Sequence, residues 1–132
     1  MRVMIDTNVL VSALLFPNSL PSKVVEKVLL DHDLILCSQI VQELQTVFER
    51  KFKEQTKHLE NALRDLHFEL VHTPESFNQS CYPDLKDKKD LPILVSAIMN
   101  KVDILITGDK DFFEVISEKP KIISPRSFIN SY

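Results

Sequence analysis

The chain has 132 residues and is 44% hydrophobic, which is enough for a continuous core without disulfide support. Its 19 acidic residues against 16 Lys and Arg give a formal net charge of −3, which excludes a global positive field that would draw it to nucleic acid or a membrane. Any contact with nucleic acid must therefore depend on local basic patches. Cys37 and Cys81 form no CxxC pair, so we expect two free thiols in a reducing compartment.

The predicted elements of the first half alternate short apolar runs with apolar residues at helical spacing. Strands are predicted at residues 3–5, 34–37 and 68–72. Helices are predicted around the apolar stripes at residues 9–14, 24–29 and 40–48, and a further helix from about residue 54 to 67. Ser38 is the predicted N-cap of the long third helix.

The second half begins with a polar stretch, residues 73–89, that is rich in Pro, Asn, Ser, Asp and Lys and predicts an exposed, mobile connection. A helix is predicted to begin at Asp90. Residues 103–107 form the clearest buried strand, and Gly108 is expected to make a turn that a Cβ would block. A last strand at 121–123 precedes a short terminal helix or turn.

Strands that alternate with helices predict a parallel α/β sheet covered on both faces. We expect one domain over residues 1–132. No apolar run is long enough to cross a bilayer, and an acid comes too early for a signal peptide, so a cytoplasmic location with no membrane partner is expected. Ligands of such sheets bind beyond the carboxyl ends of the strands, where strand order reverses. Asp6 and Asp109 each follow a predicted strand, and on neighbouring strands they would lie ~5 Å apart across one crevice.

Two acidic residues on predicted helices are expected at the same edge of the sheet. Glu43 lies three residues after Ile40 and four before Val47, so it shares the stripe that packs on the sheet. Asp90 has the same relation to Ile93 and lies in a first helical turn, where the helix dipole favours negative charge. Four carboxylates near a core, without His or Cys at ligand spacing, favour Mg²⁺ or Mn²⁺ over zinc.

Each acid also has a simpler explanation when it is considered alone. Asp6 and Asp90 could each cap the helix that follows, and Glu43 could pair with a lysine. Because the acids are far apart in the sequence, local charge patterning does not explain them together. A shared site is therefore the interpretation that accounts for all four.

Four segments carry a resemblance to a known family, in order and spacing over nearly the whole chain. They are MIDTNVL at 4–10, QEL at 42–44, DLPI at 90–93 and ITGDKDF at 106–112. Together they resemble PIN-domain nucleases, and in particular the toxin components of prokaryotic toxin–antitoxin modules. DTNV and TGDKDF are individually modest signals, and their co-occurrence with a central glutamate is what makes the resemblance specific.

The resemblance implies a PIN-like three-layer α/β/α fold with a parallel sheet of about five strands. It also implies Mg²⁺- or Mn²⁺-dependent endonucleolytic cleavage of RNA. By motif position, the catalytic and metal-binding acids would be Asp6, Glu43, Asp90 and Asp109. Asp111 would be an additional metal-binding acid, Asn8 and Thr107 would be supporting polar residues, and Asp87 stays open as an alternative to Asp90.

The partners implied by the resemblance are an RNA substrate and, where one exists, a cognate antitoxin that would block the acidic crevice; homodimers are common in such domains. Basic side chains near the rim are candidates to hold the RNA backbone, with a solvated basic face as the alternative for each. These candidates are Arg50, Lys51, Lys53, Lys86, Lys88, Lys89 and Lys110.

Two other classes of function are open to the sequence. A receiver-type phosphoacceptor domain also gathers aspartates at strand ends, but it needs adjacent acids after its first strand and an aspartate ending a middle strand. Here one acid ends the first strand and a helix glutamate joins the set. A non-catalytic PIN-like scaffold that binds RNA or a protein is the other alternative, and the complete set of four acids disfavours it.

Overall fold

The computed structural model describes residues 1–115 and 117–132. Its strands are β1 (Arg2–Ile5), β2 (Asp33–Cys37), β3 (Glu69–Val71), β4 (Ile104–Ile106) and β5 (Lys121–Ile123). Its α-helices are α1 (Thr7–Leu15), α2 (Leu20–Asp31), α3 (Ser38–Lys51), α4 (Thr56–Asp65), α5 (Leu91–Met99), α6 (Lys110–Phe113) and α7 (Pro125–Ser131). Short 3₁₀ turns lie at Lys53–Gln55 and Gln79–Cys81.

The five strands form one parallel sheet in the order β3-β2-β1-β4-β5. β1 lies at its centre, where Met4 pairs with Ile35 on one side and with Leu105 on the other. The chain therefore builds outward from β1 in one direction and then returns to its other side. The predicted parallel α/β fold is confirmed, and the strand order reverses between β1 and β4, two strands that precede predicted site residues.

The centre of the sheet is buried on both faces. Val3, Met4 and Ile5 are consecutive in β1, and each is 0% exposed. Because successive side chains of a strand point to opposite faces, their burial requires cover on both sides. On α5, Ile93 and Leu94 are also fully buried. This is the pattern of a three-layer α/β/α arrangement, with apolar runs at its centre.

The predicted N-cap of the third helix was wrong, whereas the fourth helix lies within a few residues of its predicted bounds. Cys37, not Ser38, is the N-cap of α3, and it makes no side-chain cap bond. Ser38 is already helical, and its Oγ accepts a hydrogen bond from the backbone N–H of Thr73 at 3.0 Å. The helix predicted over 54–67 begins as the 3₁₀ turn Lys53–Gln55 and ends, as α4, at Asp65.

The prediction for Gly108 was also wrong. Its φ is not in the left-handed region, and a Cβ placed there would meet nothing within 4 Å. The turn is closed by the preceding side chain, because Thr107 Oγ1 accepts from the backbone N–H of Asp109 at 3.0 Å. Left-handed backbone among the described residues occurs instead at Asn18 and Lys101.

The connection over 73–89 is more closely packed than its composition predicts. Leu85 is only 1% exposed and belongs to the core. Phe77 and Tyr82 are partly buried against the core, and their rings meet edge to face with centroids 5.7 Å apart. A few apolar side chains thus fasten a polar segment to the sheet.

Two expectations about composition can be compared directly with the fold. Cys37 is buried and Cys81 is exposed, and both are free thiols as predicted. Among the described residues, no helix has the length and apolar character needed to cross a membrane.

Candidate active site

An acidic pocket of about 350 Å³ lies at the carboxyl ends of β1 and β4. This is the edge at which strand order reverses, where parallel sheets bind their ligands. It is lined by Asp6, Thr7, Asn8, Gln39, Gln42, Glu43, Thr46, Val47, Asp90 and Asp109. The four acids singled out in the sequence therefore line a single pocket, although they come from separate segments.

Asp6 is the most deeply placed of the four acids, at 6% exposed. Its Oδ1 accepts from the backbone N–H of Thr7 at 2.8 Å, and its Oδ2 accepts from Thr107 Oγ1 at 2.9 Å. The first of these bonds makes Asp6 the N-cap of α1, as the capping alternative predicted, and the second comes from the residue that follows β4. The carboxylate has a defined orientation while each oxygen keeps capacity for a further partner.

Thr7 joins two of the acids and was missed by the sequence analysis. Its backbone N–H donates to Asp6, and its Oγ1 donates to Glu43 Oε1 at 3.0 Å. The side chain is buried, at 5% exposed. The only signal available in the sequence was its place directly after Asp6, within the DTNV segment.

Asp90 lies at the N-cap of α5 but makes no side-chain cap hydrogen bond. Capping therefore does not account for its carboxylate, which instead lines the pocket. Asp109 differs, because its Oδ1 accepts from the backbone N–H of Asp111 at 3.0 Å and caps α6. Among the described residues, none of the four ion pairs includes a pocket acid, so the lysine pairing considered for Glu43 is not found.

The carboxylates disfavour one another's charge. Burial, followed by the charges of Asp6, Asp87, Glu43 and Asp109, raises the pKa of Asp90 to about 7. Burial also raises the pKa of Asp6 and of Glu43, and their hydrogen bonds to threonine oppose the rise. The pocket therefore holds negative charge that no Lys or Arg of the described chain neutralises.

A hard divalent cation fits this donor set by its chemistry. Carboxylate oxygens are the ligands that Mg²⁺ and Mn²⁺ prefer. The pKa of Asp90 is raised first by burial and then by the neighbouring carboxylates, and a bound cation would offset both effects. Within residues 1–115 and 117–132, however, no group of three or more His, Cys, Asp or Glu has the geometry to hold a metal ion. The four acids line one pocket, but in the described chain no three of them are arranged as the ligands of a single metal ion.

The remaining predicted residues are placed at different distances from the pocket. Asn8 lines it, and Thr107 is fully buried beneath it, bonded to Asp6. Asp111 and Asp87 are not among the lining residues. The charge of Asp87 is nevertheless close enough to raise the pKa of both Asp90 and Glu43. The pocket thus includes Asp90, and Asp87 lies farther out.

The basic candidates are not gathered into one patch. Lys110 lines a shallow groove that adjoins the acidic pocket through Asn8 and Asp109. Arg50 lies one helical turn beyond Thr46, on the pocket side of α3. The Nζ of Lys88 contacts Asp84 Oδ1 at 2.5 Å. Neither the acidic pocket nor the Lys110 groove is lined by Lys51, Lys53, Lys86 or Lys89.

Replacing Thr107 by valine should destabilise the protein. The isosteric change removes the donor to Asp6 Oδ2 and the acceptor of the Asp109 N–H, both at buried or half-buried positions. Unsatisfied groups of this kind cost ~1–3 kcal/mol each, so we expect the free energy of unfolding in urea to fall by about that amount. Thr107→Ser keeps the hydroxyl and should lose less; equal losses in the two variants would contradict the role of the hydrogen bonds.

Comparison with known proteins agrees with this architecture. The model of the PIN domain family matches residues 2–111. The fold of this chain is similar to that of a solved structure, VapBC2 from Rickettsia felis bound to a DNA fragment from the promoter. The two chains are 20% identical in sequence, and the TM-score is 0.68. The match covers 93% of this chain and 97% of that chain. The search among curated proteins found no match. The family match spans most of the chain, and the chain belongs to the PIN domain family.

Proposed function

We propose that this protein is a metal-dependent endoribonuclease that hydrolyses phosphodiester bonds of RNA in the acidic pocket. The observation that carries the proposal is the placement of Asp6, Glu43, Asp90 and Asp109 around one pocket at the switch point of the sheet. These carboxylates repel one another and lack a basic partner in the described chain. Such a site suits a bound cation, and a phosphodiester could approach the acids only when that cation offsets their charge.

In the proposed mechanism, the four acids would hold Mg²⁺ or Mn²⁺, which when bound activates a water and offsets charge on the phosphodiester. Thr7 and Thr107 fix the direction of the Asp6 oxygens through their hydrogen bonds. Glu43 Oε1 accepts a hydrogen bond from Thr7 Oγ1, and the carboxylate keeps lone pairs with which it could orient the attacking water. The protein side chains thus act by positioning the metal ligands and the water, which requires that the base of the acidic pocket is rigid.

Two residues at the rim are suited to hold the substrate. Asn8 lines both the acidic pocket and the Lys110 groove, so its side-chain amide can donate to a phosphate oxygen beside the acids. Lys110 would then neutralise the next phosphate along the strand. In this arrangement the RNA backbone would leave the acidic pocket and pass over α6.

Removal of divalent metal should stop the reaction. Purified protein incubated with a single-stranded RNA oligonucleotide is expected to cut it internally in Mn²⁺ or Mg²⁺ and to leave it intact in EDTA, because the acids alone repel the phosphates. Gel analysis of end-labelled RNA gives the readout, and added Mn²⁺ should restore cutting. Cleavage that persists in EDTA would contradict the proposal.

We further propose that the protein is the toxin of a toxin–antitoxin pair. This rests on membership of the PIN domain family and on the fold shared with VapBC2 from Rickettsia felis, which was solved bound to a DNA fragment from the promoter. Induced expression of the wild type in a bacterial host is expected to halt growth, and Asp6→Asn expressed to the same level should not. Normal growth with soluble, active wild-type protein would contradict the toxin role.

A non-catalytic scaffold is the second candidate. It is favoured by one observation, that the acids of the described chain do not form a group with metal-site geometry. Calorimetric titration with Mn²⁺ separates the two candidates, because a nuclease site should bind the ion and an Asp6→Asn variant should bind it more weakly. Absence of heat with the wild type would favour the scaffold.

A further inference from the structure

A second groove adjoins the acidic pocket on the side away from Lys110. This side groove, of about 370 Å³, is lined in part by Gln39, Gln42, His72, Thr73, Pro74 and Glu75. Gln39 and Gln42 also line the acidic pocket, so the two spaces share one wall. Gln42 is the immediate neighbour of Glu43 in α3. A molecule held in the side groove therefore lies next to the reacting phosphodiester.

The floor of the side groove is fastened by hydrogen bonds between three segments. Ser38 Oγ accepts from the Thr73 N–H at 3.0 Å, and Thr73 Oγ1 accepts from the Gln39 N–H at 2.9 Å. Gln39 Nε2 in turn donates to the backbone carbonyl of Lys89 at 2.8 Å. The start of α3, the end of β3 and the segment before α5 are thereby tied together. The floor is rigid before any ligand arrives.

The polar groups at the edge of this floor are free to bind. Gln42 and His72 are exposed, and neither side chain makes a hydrogen bond with another residue in the described part of the chain. A glutamine amide offers a donor beside an acceptor, the pattern that pairs with the edge of a nucleobase. Pro74 and Pro92, which also lines the groove, add apolar surface for a flat ring.

The charge of the side groove excludes a phosphate as its main occupant. Among the described residues that line it, none is Lys or Arg, and Glu75 adds a negative charge. Phosphates are held by cations, and of the Lys and Arg residues in the described chain only Lys110 lines one of these three spaces, in the groove on the other side of the acids. An amide-bearing groove that no Lys or Arg of the described residues lines is suited to an unstacked base of single-stranded RNA.

From these observations we propose that the side groove is a base-binding subsite, in which Gln42 reads the nucleotide adjacent to the scissile bond. The inference rests on the proposed nuclease function and adds substrate specificity to it. His72 borders the same base. Gln42 is a specificity-determining residue in this scheme and takes no part in the chemistry.

The test uses a pool of single-stranded RNA oligonucleotides with a randomised internal stretch, cut by the full-length protein in Mn²⁺ and sequenced. The wild type should prefer one base at a position next to the cut by at least about fivefold, the lower range for a paired amide contact. Gln42→Ala should reduce that preference to less than about twofold, while the melting temperature stays unchanged because the side chain is exposed. Gln45→Ala, an exposed glutamine on the same helix outside both grooves, is the matched control and should keep the preference.

The outcomes separate the subsite from the nuclease. Cleavage without a flanking preference, or a preference unchanged in Gln42→Ala, overturns the subsite and leaves the nuclease proposal intact. If the wild type binds the pool without cutting it, enrichment of one base in the bound fraction that Gln42→Ala removes supports the subsite and contradicts the nuclease. A pool that is neither bound nor cut overturns both.

Discussion

Asp6→Asn is expected to lower the rate of RNA cleavage by more than 100-fold. Mutation of a residue that only hydrogen-bonds to a metal ligand lowers activity or metal affinity by ~10–100-fold. Asp6 would be a metal ligand itself, so a larger loss is expected. Its carboxylate is the most buried of the four acids, and both of its oxygens are held in place. The initial rate on end-labelled RNA in excess Mn²⁺ provides the measurement.

The fold of the Asp6→Asn variant should survive. An asparagine keeps the shape, and its carbonyl can still accept from the Thr7 N–H, while loss of a buried negative charge offsets the altered bond to Thr107. The melting temperature is therefore expected to stay close to that of the wild type. Asp31→Asn, an exposed acid at the end of α2, should keep full activity. Retention of activity in Asp6→Asn would remove this residue from the mechanism.

Asp90→Asn is expected to stabilise the metal-free protein at high pH. Folding raises the pKa of Asp90 from its ordinary value of 3.8 to about 7, so the charged form is disfavoured in the fold. The resulting penalty is absent below pH 3.8, grows as the pH rises, and is complete above about pH 7. A pKa shift corresponds to ~1.4 kcal/mol per unit for a fully buried group. Because the Asp90 side chain is half-exposed and screened by water, we expect a smaller effect, a gain of about 1–2 kcal/mol in the free energy of unfolding at pH 8.

Urea denaturation of wild type and Asp90→Asn between pH 4 and pH 8, in EDTA, measures this difference. The two curves should converge at the acid end and separate as the pH rises. Asp31→Asn should follow the wild type throughout. Saturating Mn²⁺ should reverse the order, because a bound cation stabilises the native wild type more than the variant. A constant difference at all pH values would show that the charge of Asp90 is not the cause.

The placement of Asp6 and Asp109 was accessible from sequence because it depends on short-range information. Each follows an apolar run that forms a strand, and parallel strands bring their carboxyl ends to one edge. Asp90 could be placed because its helix is almost wholly apolar, with Ile93 and Leu94 fully buried. In these cases a local pattern and the topology lead to the same position.

The bonds between segments could not be predicted in the same way. Thr7 meets Glu43 across 36 residues of sequence, and Thr73 meets Ser38 across 35. Threonine and serine hydroxyl groups produce no periodic pattern in the sequence, so neither hydrogen bond could be predicted without the structure. The error at Gly108 has the same origin: the residue type suggested a strained turn, whereas the neighbouring threonine hydroxyl closes an ordinary one.

The central position of β1 also determines when the acidic pocket can form during synthesis. Asp6 is made before its partner Thr107, which lies 101 residues farther along the chain. β4 must pair with β1 before the two side chains can meet. A nascent chain or a truncated fragment lacking β4 therefore has no complete acidic pocket. The proposed cleavage of RNA therefore requires that β4 has been made and has paired with β1.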